Sequence, residues 1–125
     1  MFRVVRRRKG GSRRARSKHY IEHKEKAREL VHARIAHING FYGFIVGRVS
    51  IRNQKSRWGS CSKKGNLNFN YRLALIPPSL ADYVIAHELC HLKEFNHGKK
   101  FWELIEKTIP DHQLRRHALA QFPLR

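Results

Sequence analysis

The chain has 125 residues, the length of one domain, and its 27 lysines and arginines against nine acidic residues give a net charge of +18. A hydrophobic content of 41% is enough for a packed core and excludes a wholly disordered chain. No apolar run reaches the roughly 18 residues of a membrane span, which excludes an integral membrane protein. The two cysteines exclude a disulfide framework, so we expect a reducing, cytoplasmic compartment.

Half of the net charge lies at the start of the chain. Residues 1–18 contain nine lysines and arginines, no acidic residue and a Gly10-Gly11 pair. Self-repulsion and glycine predict a flexible basic arm, followed by a domain over residues 19–125. Such an arm is expected either to bind nucleic acid without sequence preference or to be a solvated tail.

The segment after the arm has helical periodicity. Apolar residues recur three and four positions apart over residues 19–39, which predicts an amphipathic helix ending near Asn39-Gly40. His19 and His23 lie four apart on this helix, a spacing that suits a metal. No third ligand follows in register, so we expect two surface histidines there.

Two later segments have the patterns of β-strands. Residues 44–52 are rich in β-branched side chains, and residues 66–73 alternate polar and apolar. Residues 56–62 are polar around Trp58 and predict a turn or an irregular strand. Lys63-Lys64-Gly65 predicts a hairpin turn, and Leu67–Tyr71 is the expected edge for pairing with a substrate strand.

The motif H-E-x-x-H occurs at His87-Glu88-Leu89-Cys90-His91, in a predicted helix from Leu80 to about Phe95 with Ser79 and Asp82 as its capping box. Two histidines four apart lie on one helix face, about 6 Å apart along the axis, so both can reach one Zn²⁺. Glu88 can then take the proton of an attacking water and pass it to the leaving amine. The motif therefore predicts a zinc centre for peptide hydrolysis.

A catalytic zinc ordinarily has three protein ligands, so a third must come from beyond the motif. On an unbroken helix, His97 would be displaced from His91 by about 9 Å along the axis and about 120° around it. The helix must therefore end, and Asn96 and Gly98 are residue types that tolerate the left-handed conformation of helix ends. Geometry favours His97, and a glutamate of the next predicted helix, Glu103 or Glu106, is the competing ligand.

Further motifs accompany H-E-x-x-H in a fixed order: Ser56–Ser62 (SRWGSCS), Leu67–Leu73 (LNFNYRL), Pro77, Asp82–Leu92 (DYVIAHELCHL), Asn96-His97 and Phe101-Trp102. With them, the chain from about Val49 to beyond Asp111 resembles the YgjP-like metallopeptidase domain. The resemblance implies a zincin-type α+β fold and zinc held by His87, His91 and His97. It also implies a more distant similarity to the SprT-like and Wss-type proteases that act on DNA-bound proteins.

The sequence thus predicts a single-domain α+β zincin-like fold with an N-terminal helix, a small mostly antiparallel sheet, the H-E-x-x-H helix and short C-terminal helices. The predicted function is zinc-dependent hydrolysis of peptide bonds in a peptide or protein substrate, with Glu88 as the catalytic residue. The alternative is a nucleic-acid-associated protein, either a protease of DNA-bound proteins or a basic binding module. In the binding module the zinc would be structural, with Cys90 or His112 as its fourth ligand. Four residues are candidates for stabilising an oxyanion: Tyr71, Arg72, Tyr83 and His112.

Overall fold

The computed structural model describes residues 2–3 and 13–124, with side chains from residue 17 onward. The described residues form four strands, four α-helices and one 3₁₀ helix, which together make an α+β domain. Their bounds are β1 Phe2–Arg3, α1 Arg13–Tyr42, β2 Val49–Arg52, β3 Arg57–Cys61, β4 Leu67–Asn70, the 3₁₀ helix Tyr71–Leu75, α2 Pro78–Cys90, α3 Lys99–Glu106 and α4 His112–Leu119. None of the described helices is long and apolar enough to cross a membrane.

The four strands form one sheet in the order β1-β3-β4-β2. β3 pairs antiparallel with β1 and with β4, whereas β2 pairs parallel with β4, so the predicted mostly antiparallel sheet is confirmed. The predicted turn is also present, since the Gly65 N–H donates to the Ser62 carbonyl at 3.0 Å and Gly65 has a φ of +88°. The expectation of an open edge at Leu67–Tyr71 is wrong, because β4 lies between β3 and β2.

Helix α1 begins at Arg13, six residues before the predicted start at His19. Arginine, alanine and lysine have good helix propensity, which favours the additional turns at the start of this helix. One stripe of α1 is buried, formed by Ala27, Val31, Ile35 and Ile38. The predicted boundary at residue 18 lies within α1, and residues 4–12 of the predicted arm lie outside the described residues, so the arm stays a prediction.

Helix α2 starts at Pro78, because proline at the first helical position loses no hydrogen bond. The predicted capping box is wrong, since no side chain caps this helix. Asp82 instead accepts two hydrogen bonds from the Arg34 guanidinium on α1, at 2.8 and 3.0 Å. Ten of the thirteen residues of α2 are buried, so this helix runs through the core beneath the sheet.

The predicted strands are longer than the observed ones. The first begins at Val49 instead of residue 44, because the residues from Phe44 to Arg48 form an irregular segment held by Asn39 and Asn66. Residues 56–62, predicted as a turn or irregular strand, contain the regular strand β3. The second predicted strand ends at Asn70, whose side-chain oxygen caps the following 3₁₀ helix by accepting from the Arg72 N–H.

Candidate metal centre

The end of α2 brings three histidines together. His87 lies in the last turn of α2, His91 is the C-cap residue of this helix, and both side chains are buried. The chain then turns back, and the Nε2 atom of His97 lies 3.0 Å from that of His91 and 3.2 Å from that of His87. Within the described part of the chain this is the one group of three or more such side chains that could hold a metal ion.

The prediction that the H-E-x-x-H helix extends to about Phe95 is wrong, because α2 ends at Cys90 and the chain turns directly after it. The Leu92 N–H donates to the Leu89 carbonyl, and the N–H groups of Lys93 and Glu94 donate to the Cys90 carbonyl. Gly98 has a φ of −87°, so it is not in the left-handed conformation expected there. The bonds from Leu92 and Lys93 span three residues, as in a 3₁₀ helix, and they tighten the chain where α2 ends.

The three imidazoles fit a Zn²⁺ ion in spacing and in protonation. A tetrahedral zinc with Zn–N bonds of about 2.0–2.1 Å requires ligand nitrogens about 3.3 Å apart, close to the observed 3.0 and 3.2 Å. Burial lowers the pKa of His87 to about 3, and burial with the neighbouring His87 lowers the pKa of His91 and His97 to about 4. The imidazoles are therefore neutral near pH 7, the form that donates a lone pair to a metal.

Two of the three imidazoles are oriented by hydrogen bonds on their other nitrogen. His87 Nδ1 lies 3.2 Å from Glu88 Oε2, and His91 Nδ1 lies 3.1 Å from the Glu94 carbonyl oxygen. With the proton on Nδ1, both rings donate to an oxygen and leave Nε2 as the acceptor that faces the centre of the cluster.

Glu88 is completely buried beside this cluster, and its Oε1 atom has no hydrogen-bond partner among the described residues. Burial raises the pKa of Glu88 to about 7, against the lowering effect of His91. Gly59 of β3 makes room for the carboxylate, because a Cβ at that position would lie 3.1 Å from Glu88 Cγ. Sequence reasoning missed this role of Gly59, although a glycine inside a strand is a known sign of close approach.

The competing ligands lie elsewhere. Glu103 and Glu106 are exposed on α3, and Glu106 Oε2 lies 3.8 Å from His112 Nε2. The Cys90 thiol is buried and faces the Tyr42 hydroxyl, and its pKa rises to about 11 through burial. None of these groups belongs to the cluster of three histidines.

The candidates for stabilising an oxyanion are separated by the fold. The Tyr83 ring makes an edge contact with His87, with centroids 5.9 Å apart. Tyr71 Oη instead lies 2.6 Å from His19 Nδ1, and the Arg72 guanidinium lies over the Tyr71 ring at 4.6 Å. His112 packs on Trp102 and not on a histidine of the cluster. Among the described contacts, the ring of Tyr83 is therefore the candidate group that meets the cluster.

Two solved structures share this fold. They are crystal structures of the metallopeptidase zymogens of Pyrococcus abyssi abylysin (24% identity, TM-score 0.63) and Methanocaldococcus jannaschii jannalysin (23% identity, TM-score 0.60). The similarity covers 76% of this chain in both cases, with 99% of the abylysin chain and 94% of the jannalysin chain. No curated protein sequence matches.

The family model described as YgjP-like, metallopeptidase domain, matches residues 3–122, nearly the whole chain. This match confirms the resemblance found in the sequence motifs, and the shared fold confirms the predicted α+β metallopeptidase architecture. The chain therefore belongs to the YgjP-like metallopeptidase domain family.

Proposed function

We propose that the protein is a zinc-dependent peptidase in which His87, His91 and His97 hold Zn²⁺ and Glu88 is the general base. The observation that carries this proposal is the convergence of three neutral imidazole nitrogens beside a buried carboxylate with an unpartnered oxygen. Protein or peptide substrates follow from membership of a metallopeptidase family. Zinc is the metal that this ligand set suits best.

A bound Zn²⁺ would supply Lewis acidity, which polarises the scissile carbonyl and makes water more acidic. Glu88 Oε1 would accept the proton of the attacking water. Three observations support this role: the atom is buried, it has no hydrogen-bond partner among the described residues, and its carboxylate contacts His87. The same carboxyl then donates that proton to the leaving amine. Its packing against Gly59 fixes the position from which both transfers occur.

The alternative of a structural zinc requires a fourth protein ligand. Cys90 faces Tyr42, and His112 is stacked on Trp102, so neither completes the cluster. The absence of a fourth ligand among the described residues supports catalysis over a purely structural role. A peptidase that is recruited to nucleic acid is compatible with this site, and the charge of +18 supports that part of the proposal.

The proposal is tested by zinc analysis and peptide cleavage of the wild type and of Glu88→Gln. The amide cannot accept a proton, so we expect Glu88→Gln to retain zinc and to lose about 10²–10⁴-fold in kcat. Glu94→Gln is the matched control, because only its main-chain carbonyl contacts the cluster. Unchanged turnover in Glu88→Gln would remove this residue from the mechanism, and a wild type that binds no zinc would refute the metal centre.

A further inference from the structure

His97 differs from the other two histidines of the cluster in how its ring is held. His87 and His91 belong to the end of a buried helix, and each has an oxygen partner for Nδ1. His97 lies in the exposed segment between α2 and α3, and no hydrogen bond holds its Nδ1 atom within the described residues. The contacts that orient this imidazole within the described residues, apart from those inside the cluster, are therefore contacts of its ring.

Aromatic packing is what contacts the His97 ring. The indole of Trp102 stacks on it with centroids 5.9 Å apart and an interplanar angle of 25°, and Phe101 meets it edge-on at 5.0 Å. Phe101 also packs on His87 and His91, so it supports the whole cluster. Trp102 is stacked on His97, and it meets His87 only at an angle of 65°.

Trp102 is in turn held by α4. The His112 imidazole stacks on the indole with centroids 5.2 Å apart and an interplanar angle of 19°, and the Arg116 guanidinium lies over the same indole at 6.0 Å. His112 is 6% exposed, so the surrounding core fixes the plane of its ring. A chain of flat groups therefore runs from the buried face of α4 through Trp102 to His97.

We infer that Trp102 is a positioning residue for the third ligand and that His112 holds Trp102 in the plane that His97 requires. The inference rests on the proposed metal centre. At His97, ring stacking takes the role that hydrogen bonds to Nδ1 have at His87 and His91. The indole thereby acts on the metal chiefly through His97, because its contact with His87 is longer, at 6.3 Å, and tilted by 65°.

The test is the zinc affinity of purified variants, measured by competition with a chromogenic chelator. Trp102→Leu should weaken zinc binding by about 10–100-fold, the usual effect of removing a group that orients a ligand. His112→Leu should weaken it by about three- to tenfold, as expected from the loss of one aromatic pair. Trp102→Phe and His112→Phe keep a flat ring and should retain most of the affinity. His117→Leu, exposed on the same helix, is the matched control.

A double-mutant cycle separates positioning from a general loss of stability. In a His97→Ala background, Trp102→Leu should leave the remaining zinc affinity unchanged, because its effect passes through His97. The absorption spectrum of the cobalt(II)-substituted Trp102→Leu protein should also differ from that of the wild type, while circular dichroism shows the same helical content. An equal loss of affinity in both backgrounds would overturn the inference.

Unchanged zinc affinity and an unchanged cobalt spectrum in both Trp102→Leu and His112→Leu would likewise overturn it. In that case the wild type still binds zinc, and the metal centre stands without the positioning role. A wild type that binds no metal at all would instead refute the proposed function. The two failures are therefore distinguishable.

Discussion

Helices α1 and α2 differ in what they bury. Helix α2 has thirteen residues, of which ten are buried, and these include the polar side chains of His87 and Glu88. Helix α1 has thirty residues, and a stripe of four apolar side chains is its buried part among the described positions. Most charged side chains of α1 from residue 17 onward are exposed, where they remain hydrated at little cost.

The difference shows which structural features indicate a function. A buried carboxylate and two buried imidazoles are costly unless they are paired or used, so their presence in α2 and at its C-cap residue points to chemistry. Exposed lysines and arginines on α1 do not by themselves indicate a function, because solvated charges are common on any surface. The role of α2 can therefore be tested at single residues, whereas the role of the basic region must be tested through its collective charge.

The largest expected effect concerns the basic residues before α1. If about six phosphates are neutralised, affinity for DNA or RNA should fall on the order of a thousandfold between 50 and 200 mM salt. Changing Arg6, Arg7, Arg8 and Lys9 to glutamine should flatten this salt dependence, measured by fluorescence anisotropy with a labelled oligonucleotide, and should leave zinc content unchanged.

The control variant loses the same number of positive charges from exposed positions after α1. Four exposed lysines can be changed to glutamine together: Lys63, Lys64, Lys93 and Lys107. If both variants flatten the salt dependence equally, the segment before α1 has no special role and the binding reflects net charge alone. Recruitment to nucleic acid is tested by the rate at which this protein cleaves a nucleic-acid-binding protein with and without DNA. Equal rates would argue against recruitment.

The next effect concerns the third ligand. Structural zinc sites with four ligands bind with about 10–16 kcal/mol, or about 3 kcal/mol per ligand, so His97→Ala should lower zinc affinity by at least about a hundredfold. The helical content should change little, since His97 lies outside the helices. Zinc affinity that survives His97→Ala and falls in Glu103→Ala or Glu106→Ala would show that a glutamate is the third ligand.

A comparable effect is expected at the two cysteines, which report on the burial of α2 and β3. Burial raises the pKa of the Cys61 and Cys90 thiols to about 11 from the usual 9.0. At pH 8 the thiolate fraction then falls about a hundredfold, so alkylation by iodoacetamide should be at least that much slower than in urea. Mass spectrometry of the labelled protein measures both rates. Fast labelling of Cys90 in the folded protein would contradict the buried position of α2.

The same pKa values predict a loss of stability in alkaline solution. The thiols of the unfolded chain lose their protons from about pH 9, whereas the folded protein keeps them until about pH 11. The unfolded state therefore binds fewer protons in this window, and the free energy of unfolding decreases as the pH rises. Replacing both cysteines by alanine should reduce this decrease, as measured by urea titration at pH 8 and pH 10.

The smallest effect concerns the ion pair that joins the two helices. Arg34 donates two hydrogen bonds to Asp82, but the side chains are 34% and 20% exposed, so solvent screening limits the contribution to about 1 kcal/mol. Arg34→Met should lower the free energy of unfolding by about that amount. Arg28→Met, which removes an exposed pair with Glu25, is the control and should have little effect. Equal changes in the free energy of unfolding for the two variants would show that the Arg34–Asp82 pair does not stabilise the packing of α1 on α2.

The sequence by itself determined the features that depend on local spacing. Helical geometry places residues four apart on one face, so the proximity of His87 and His91 was predictable from H-E-x-x-H alone. The turn at Gly65 and the apolar stripe of α1 follow from equally local rules. The need for a helix end before His97 was also predictable, although His97 as the third ligand stays a prediction.

The tertiary structure decided the features that depend on residues distant in sequence. Asp82 has the spacing of a capping residue, but Arg34 lies 48 positions earlier and takes its carboxylate instead. The alternating pattern of β4 predicts a strand with one buried face but does not specify its neighbours, and β2 and β3 pair with it on both sides. The stacking of His112 on Trp102 likewise joins α4 to α3. Such contacts depend on which surfaces the packed core brings together, and no local pattern specifies that arrangement.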